Sequence, residues 1–265
     1  MPGALLATVL PMATALVTGG TSGIGAAFAR ELAGRGHDLV LVARDAARLE
    51  ETAERLRAGG TRVEVLRADL ADRADVQRVA DRLGDVARPV DLLVNNAGFG
   101  LSSKLLSEDT SEQERALDVM CRAVLVLGGA AGRAMRDRGR GAVLNVSSVA
   151  GFVTMGGYSA VKAWVTAYSE GLSNELAGTG VTVTALCPGF VRTEFHERAE
   201  LRMGHMPEIG WVDVDELVRT ALDDVARGRV VSVPTTRYAA VVQLARHAPR
   251  GLVRWASRAI VSSRS

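Results

Sequence analysis

Short apolar runs alternate with longer amphipathic stretches from Thr14 almost to the C-terminus. Seven runs read as strands: TALVTGG (Thr14 to Gly20), DLVLVAR (Asp38 to Arg44), RVEVLRA (Arg62 to Ala68), VDLLVNN (Val90 to Asn96), GAVLNVSS (Gly141 to Ser148), VTVTALCPG (Val181 to Gly189) and RVVSVP (Arg229 to Pro234). Their nearly continuous apolar character suits parallel strands buried on both faces. Between them, helical spacing runs over Gly23 to Arg35, Asp45 to Ala58, Ala71 to Ala87, Thr110 to Arg136, Tyr158 to Ala177, Asp213 to Ala226 and Thr236 to Ile260. Asp45 and Asp213 stand where a helix N-cap belongs. The alternation predicts an α/β fold: a doubly wound parallel sheet of about seven strands in three layers. One domain is expected over 14–265, after an N-terminal extension of 1–13.

Composition narrows the picture. A chain of 265 residues with 48% hydrophobic and 23% charged residues can bury one large core. A net charge of +2 and 4% aromatics give no footprint for nucleic acid, which needs clustered cations with stacking rings. Cys121 and Cys187 form no CxxC and fit a reducing, cytoplasmic setting. His37, His196, His205 and His247 make no metal-ligand spacing with them, so no metal site is expected. The first 20 residues lack a basic leader region and are too broken by Pro, Gly and Thr to span a membrane. MATALVTGG already opens a strand, which makes Met12 a candidate start.

Open parallel sheets bind ligands beyond the carboxyl ends of their strands, where the strand order reverses. After the first strand, TGGTSGIG (Thr18 to Gly25) spaces glycines at 19, 23 and 25 into a helix start. Such a turn lets a pyrophosphate approach the backbone and the free N–H groups of the helix. After the second strand, Ala43 holds the place where an acid would accept from a ribose hydroxyl, and Arg44 follows. That pair favours a 2′-phosphate and so NADP(H), with NAD(H) as the less favoured cofactor. Asp69, after the third strand, either faces an adenine or caps the next helix. Asn95 to Gly98 offers small residues against a ribose, or an ordinary turn. Ser147 and Ser148 end the fifth strand, and Pro188, Gly189 and Thr193 follow the sixth.

Tyr158 and Lys162 are four residues apart and share a helix face. A tyrosine hydroxyl titrates near ~10, and an adjacent ammonium lowers that value. Ser148 could orient a carbonyl while Tyr158 donates a proton to the developing alkoxide. Taken alone, such a pair is more often a surface aromatic beside a surface cation. Taken together, the motifs from Thr18 to Gly25, Asp69, Asn95 to Gly98, Ser148, Tyr158 to Lys162 and Pro188 to Thr193 resemble the short-chain dehydrogenase/reductase family, over about Thr14 to Pro234. The resemblance implies a Rossmann-type fold, a nicotinamide cofactor and carbonyl/alcohol interconversion. It implies Tyr158 as acid/base, Lys162 as ribose ligand and tuner of the tyrosine, and Ser148 as the substrate-positioning hydroxyl. It also implies cofactor contacts at Gly19, Thr21, Ser22, Gly23, Ile24, Gly25, Arg44, Asp69, Leu70, Asn95, Ala97, Gly98, Pro188, Gly189, Val191 and Thr193.

Two features depart from the family's pattern. Its usual asparagine in the helix before the fifth strand, which supports a helix distortion and a proton relay, aligns with Met120. Ser148 precedes Tyr158 by ten residues, fewer than in many relatives. A substrate lid is expected at 194–211, where Phe195, Met203, Met206, Ile209 and Trp211 suggest a lipophilic substrate. His196 and His205 read as polar lid residues. The tail over 236–262 interleaves arginines with apolar residues; it reads as packing on the body or a second subunit in preference to a membrane surface, with Pro249 breaking it. The resemblance implies a homodimer or homotetramer. Alternatives to the oxidoreductase are a cofactor-binding sensor or scaffold with little turnover, and an epimerase or dehydratase.

Overall fold

The computed structural model describes residues 13–192 and 210–262, with side chains to 258. The extension up to Met12, Thr193, the lid residues Phe195, His196, Met203, His205, Met206 and Ile209, and residues 263–265 lie outside the described residues.

Six units of strand and helix set the frame: β1 (Thr14–Thr18), α1 (Gly23–Gly34), β2 (Asp38–Ala43), α2 (Ala46–Ala58), β3 (Val63–Arg67), α3 (Arg73–Gly84), β4 (Leu92–Asn95), α4 (Ser111–Leu117), α5 (Ala123–Arg138), β5 (Gly141–Val146), α6 (Gly157–Glu175) and β6 (Val181–Leu186). A short parallel pair, β7 (Phe190–Val191) and β8 (Trp211–Val212), precedes α7 (Val214–Ala226) and β9 (Val231–Ser232). The tail is α8 (Thr236–His247) and α9 (Arg250–Ser262).

The main sheet has seven parallel strands in the order β3-β2-β1-β4-β5-β6-β9, as expected of a doubly wound sheet. Alternate residues of each strand point to opposite faces and enter separate cores. Leu16, Val40, Leu93, Val143 and Val183 pack under α3, α5 and α6. Val17, Leu41, Val94, Leu144 and Leu186 pack with Phe28 of α1 and Leu217 of α7. The strand order reverses between β1 and β4, whose carboxyl ends therefore open into a crevice.

Element ends follow local chemistry. Asp45 accepts from Arg48 N, and Asp213 from Asp215 N and Glu216 N, so both cap their helices as their positions predict. The expected helix over Thr110 to Arg136 is interrupted: α4 passes through a π-helical turn, Asp118–Arg122, before α5. Pro249 divides the tail, with Ala248 extended at ψ 145 because the proline ring excludes the helical region there.

Candidate active site

A cavity of about 420 Å³ lies over the β1–β4 reversal. At its phosphate end is the turn between β1 and α1. Gly25 has to be glycine: a Cβ there would lie 2.2 Å from the Gly19 carbonyl oxygen and 2.4 Å from Asn96 Nδ2. The Asn96 amide donates to the Thr18 oxygen at 2.9 Å, and the Thr18 hydroxyl accepts from Asn96 N and Ala97 N at 2.9 and 3.0 Å. These bonds weld the ends of β1 and β4 into one floor. Ser22 makes no side-chain cap on α1, in contrast to the aspartates that cap α2, α3 and α7. The first N–H groups of α1 are thus left for an anion.

Gly19, Thr21, Ser22, Gly23, Ile24, Arg44, Asp69, Leu70, Ala97, Gly98, Tyr158, Lys162, Pro188, Gly189 and Val191 all line this cavity. Gly25, Asn95 and Ser148 are not among the lining residues, and Thr193 is outside the described ones. Asn95 is buried below the floor, donating to Asn145 Oδ1 at 2.9 Å; Asn145 passes the chain on to Ser169 of α6. The neighbouring Asn96 faces the cavity instead.

Asp69 lines the cavity and does not cap the next helix. The cap of α3 is Asp72, which accepts from Asp75 N. Asp69 accepts from Ala71 N at 3.0 Å and from Arg115 Nη2 on both oxygens, at 3.0 and 2.9 Å. Burial acts to raise its pKa, but these bonds and the Arg115 and Arg44 charges leave it lowered. Arg48 and Arg115 also line the cavity, and neither stands out in the sequence. Arg48 lies one turn into α2 and donates to the Thr21 carbonyl at 3.4 Å; its place, three after a capping aspartate, is the one signal the sequence offers.

At the other end, Lys162 is buried, and its Nζ donates to Val146 O at 2.9 Å and sits 5.6 Å from the Tyr158 ring centroid. Burial lowers its pKa to about 8, with Cys121 and Cys187 acting in the opposite sense. Burial pushes the Tyr158 hydroxyl above its ordinary range, while a hydrogen bond from Ser148 pulls the other way. The depressed tyrosine expected from an adjacent ammonium is therefore not the state of the protein alone. Desolvation outweighs the Ser148 hydrogen bond.

The two serines separate. Ser147 Oγ is 2.7 Å from both Lys162 O and Thr166 Oγ1 and is fully buried. Ser148 Oγ accepts from Ala150 N, opening the short helical turn Val149–Phe152, and reaches Tyr158. Met120 is buried in the π-helical turn, so the distortion persists without an asparagine. A Cβ on Gly98 would lie 2.9 Å from the Met120 sulfur and 3.7 Å from Lys162 Nζ, which puts the thioether close behind the lysine.

The described residues hold no cluster of His, Cys, Asp and Glu fit for a metal. The glycine floor, the uncapped helix start and the cationic rim instead suit a dinucleotide.

This architecture and site are those of a nucleotide-dependent α/β oxidoreductase. The sequence profile of the short chain dehydrogenases matches residues 13–203, and the chain belongs to that family. A protein assigned as a ketoacyl reductase of the monensin polyketide synthase of Streptomyces virginiae is 40% identical over 201 residues, 72% of this chain and 74% of its own. The structure of a short-chain dehydrogenase from Sphingobium yanoikuyae in complex with NADPH superimposes with a TM-score of 0.82 at 40% identity, covering 91% of this chain and 95% of that one. A bulky-bulky ketone specific alcohol dehydrogenase from Comamonas testosteroni gives a TM-score of 0.77 at 34% identity, over 91% and 93%.

Proposed function

We propose that the chain transfers a hydride between NADP(H) and the carbonyl or alcohol carbon of a lipophilic small molecule, with Tyr158 as the acid/base. The observation that carries this reading is the pairing of Tyr158 and Lys162 at one end of a cavity whose other end is a glycine turn rimmed by arginines, with Ser148 hydrogen-bonded to Tyr158 from outside the lining.

The turn Gly19 to Gly25 and the start of α1 would hold the pyrophosphate, and Asp69 with Leu70 the adenine. Arg44 and Arg48 would take a 2′-phosphate. Asp45, the acid that follows Arg44, is engaged in capping α2. Lys162 would bind the nicotinamide ribose, and Pro188 to Val191, continuing into Thr193, would flank the ring. The cofactor, when bound, supplies or accepts the hydride.

In reduction, Ser148 donates a hydrogen bond to the substrate oxygen and fixes its carbonyl. Tyr158 donates its proton to the oxygen as negative charge develops there. Burial keeps the tyrosine protonated beforehand, which suits a proton donor. In the reverse direction it must lose that proton, and a charged Lys162 eases the loss. Pocket-side Phe99 and Val119 favour an apolar substrate. The relatives named for ketoacyl reduction and for bulky ketones support the same reading. The buried, free cysteines suit a reducing compartment such as the cytoplasm.

The test is a panel of lipophilic ketones, aldehydes and alcohols assayed at the nicotinamide absorbance band with both NADP(H) and NAD(H). Substrate-dependent change, faster with NADP(H), is the expected result. Tight cofactor binding with no turnover on any member would favour a sensor, and product formation without net cofactor change an epimerase or dehydratase.

A further inference from the structure

The sharpest unexplained feature outside the site is the exposed face of α8 and α9. The chain has no Asp or Glu after Asp224, while Arg237, Arg246, Arg250, Arg254 and Arg258 fall within these helices. Val242, Val253 and Ser257 are buried and define the side that packs on the body. On the other side Val241, Leu244, Leu252 and Trp255 are 54, 71, 53 and 68% exposed. Each pair is spaced by three and so shares a helix face. Arg250, Arg254 and Arg258 are spaced by four and form a row beside Leu252 and Trp255. No ion pair engages them among the described residues, whereas Arg246 is held by Glu170 at 2.7 Å.

The tail is braced, not loose. Thr154 N donates to Ser257 Oγ at 3.1 Å, and the Arg246 guanidinium lies 5.6 Å from the Phe152 ring centroid. Tyr238 donates to Gly210 O at 2.7 Å and lies so close over Gly189 that a Cβ there would come within 2.1 Å of its ring. These contacts hold the inner side of the tail against the Ser148 to Gly157 loop and the β7–β8 pair, so its apolar and cationic outer face is fixed in place.

Charge selects the occupant. A second copy would bring an identical cationic tail, so a two-fold tail-to-tail contact sets like charges together. Nucleic acid would match the arginines but leave the aliphatic side chains without a role. An anionic lipid surface matches both: arginines reach headgroup phosphates while tryptophan and leucine sit at the acyl boundary.

We propose that α8 and α9 form a docking face for anionic lipid, which seats the protein peripherally with its cleft beside the bilayer. The docking stands on the tail alone; the use of the cleft for membrane-dissolved substrates rests on the functional reading above.

The test is flotation of the full chain with vesicles of phosphatidylcholine and phosphatidylglycerol in equal parts, and with phosphatidylcholine alone. Binding is expected to the anionic vesicles only, and to fall with salt. The variant R250Q/R254Q/R258Q should partition about 100-fold more weakly, while R55Q/R73Q/R136Q, which removes equal charge elsewhere, should not. Trp255 fluorescence, taken as the difference from W255F, should shift to the blue on the vesicles. Protein that stays in solution with anionic vesicles, equal loss in both triple variants, or an unshifted Trp255 would overturn the proposal. No turnover is measured, so this result is separate from that of the hydride-transfer assay.

Discussion

Ser147 and Ser148 are adjacent in sequence and differ in almost everything around them. Ser147 is locked between Lys162 O and Thr166 Oγ1, so its hydroxyl supports the fold. Ser147→Ala should cost about 1–3 kcal/mol in urea unfolding. Ser148→Ala loses the cap on Val149–Phe152 and should cost about 0.5–2 kcal/mol, yet lower kcat about 100-fold. Equal activity of Ser148→Ala and wild type would move the positioning role to Ser147. The sequence offers the second serine by resemblance alone; the buried bonds that occupy the first come from α6 and are invisible before folding.

Lys162 carries a linkage with a definite sign. Its pKa falls from an ordinary 10.5 to about 8 in the fold, so the unfolded chain binds more protons between those values. Stability contributed by this residue therefore rises as pH climbs from about 8 to 10.5. Lys162→Met should flatten that rise in urea titrations of the cofactor-free protein. An unchanged slope would mean that Lys162 is not desolvated as described. Met120, behind it, gives no hydrogen bond. Met120→Asn should speed turnover and alter its pH profile if the relay is weakened here; identical profiles would show that proton supply does not depend on this position.

At the scale of elements, strands and most helices are legible because their apolar period is strong. Their ends are less so. The sequence-based strands run one to three residues into the loops that follow them, Gly19, Asn96 and Ser148 among them, because the backbone turns away before the strand-like run of residues ends. The π-helical turn at Asp118–Arg122 has no period of its own, and β7–β8 joins residues about 20 apart in sequence. Capping is readable. Asp213 takes two N–H bonds, and Asp213→Ala should destabilise the protein by about 1 kcal/mol in thermal or urea unfolding. No change would mean that water replaces the cap.

For the whole molecule, α4, α5 and α6 leave an apolar strip open. Leu117 and Leu125 are 53 and 50% exposed, and Trp164 stacks on Tyr168 at 5.1 Å beside them. A groove lined by Leu125, Val126, Tyr168 and Leu172 continues the strip. This face fits the homo-oligomer implied by family resemblance. Leu125→Glu should shift the mass seen by light scattering toward monomer; an unchanged mass would place the contact elsewhere. No described helix is long and apolar enough to cross a membrane.

The account turns on Tyr158 as the proton donor in a nicotinamide-dependent reduction. Its most direct test is the rate of NADPH oxidation with the best ketone of the panel, comparing wild type with Tyr158→Phe, while NADPH affinity is followed separately by fluorescence. Tyr158 as proton donor entails a loss of about 100- to 10,000-fold in kcat with cofactor affinity nearly unchanged. A Tyr158→Phe protein that turns over at the wild-type rate would contradict it.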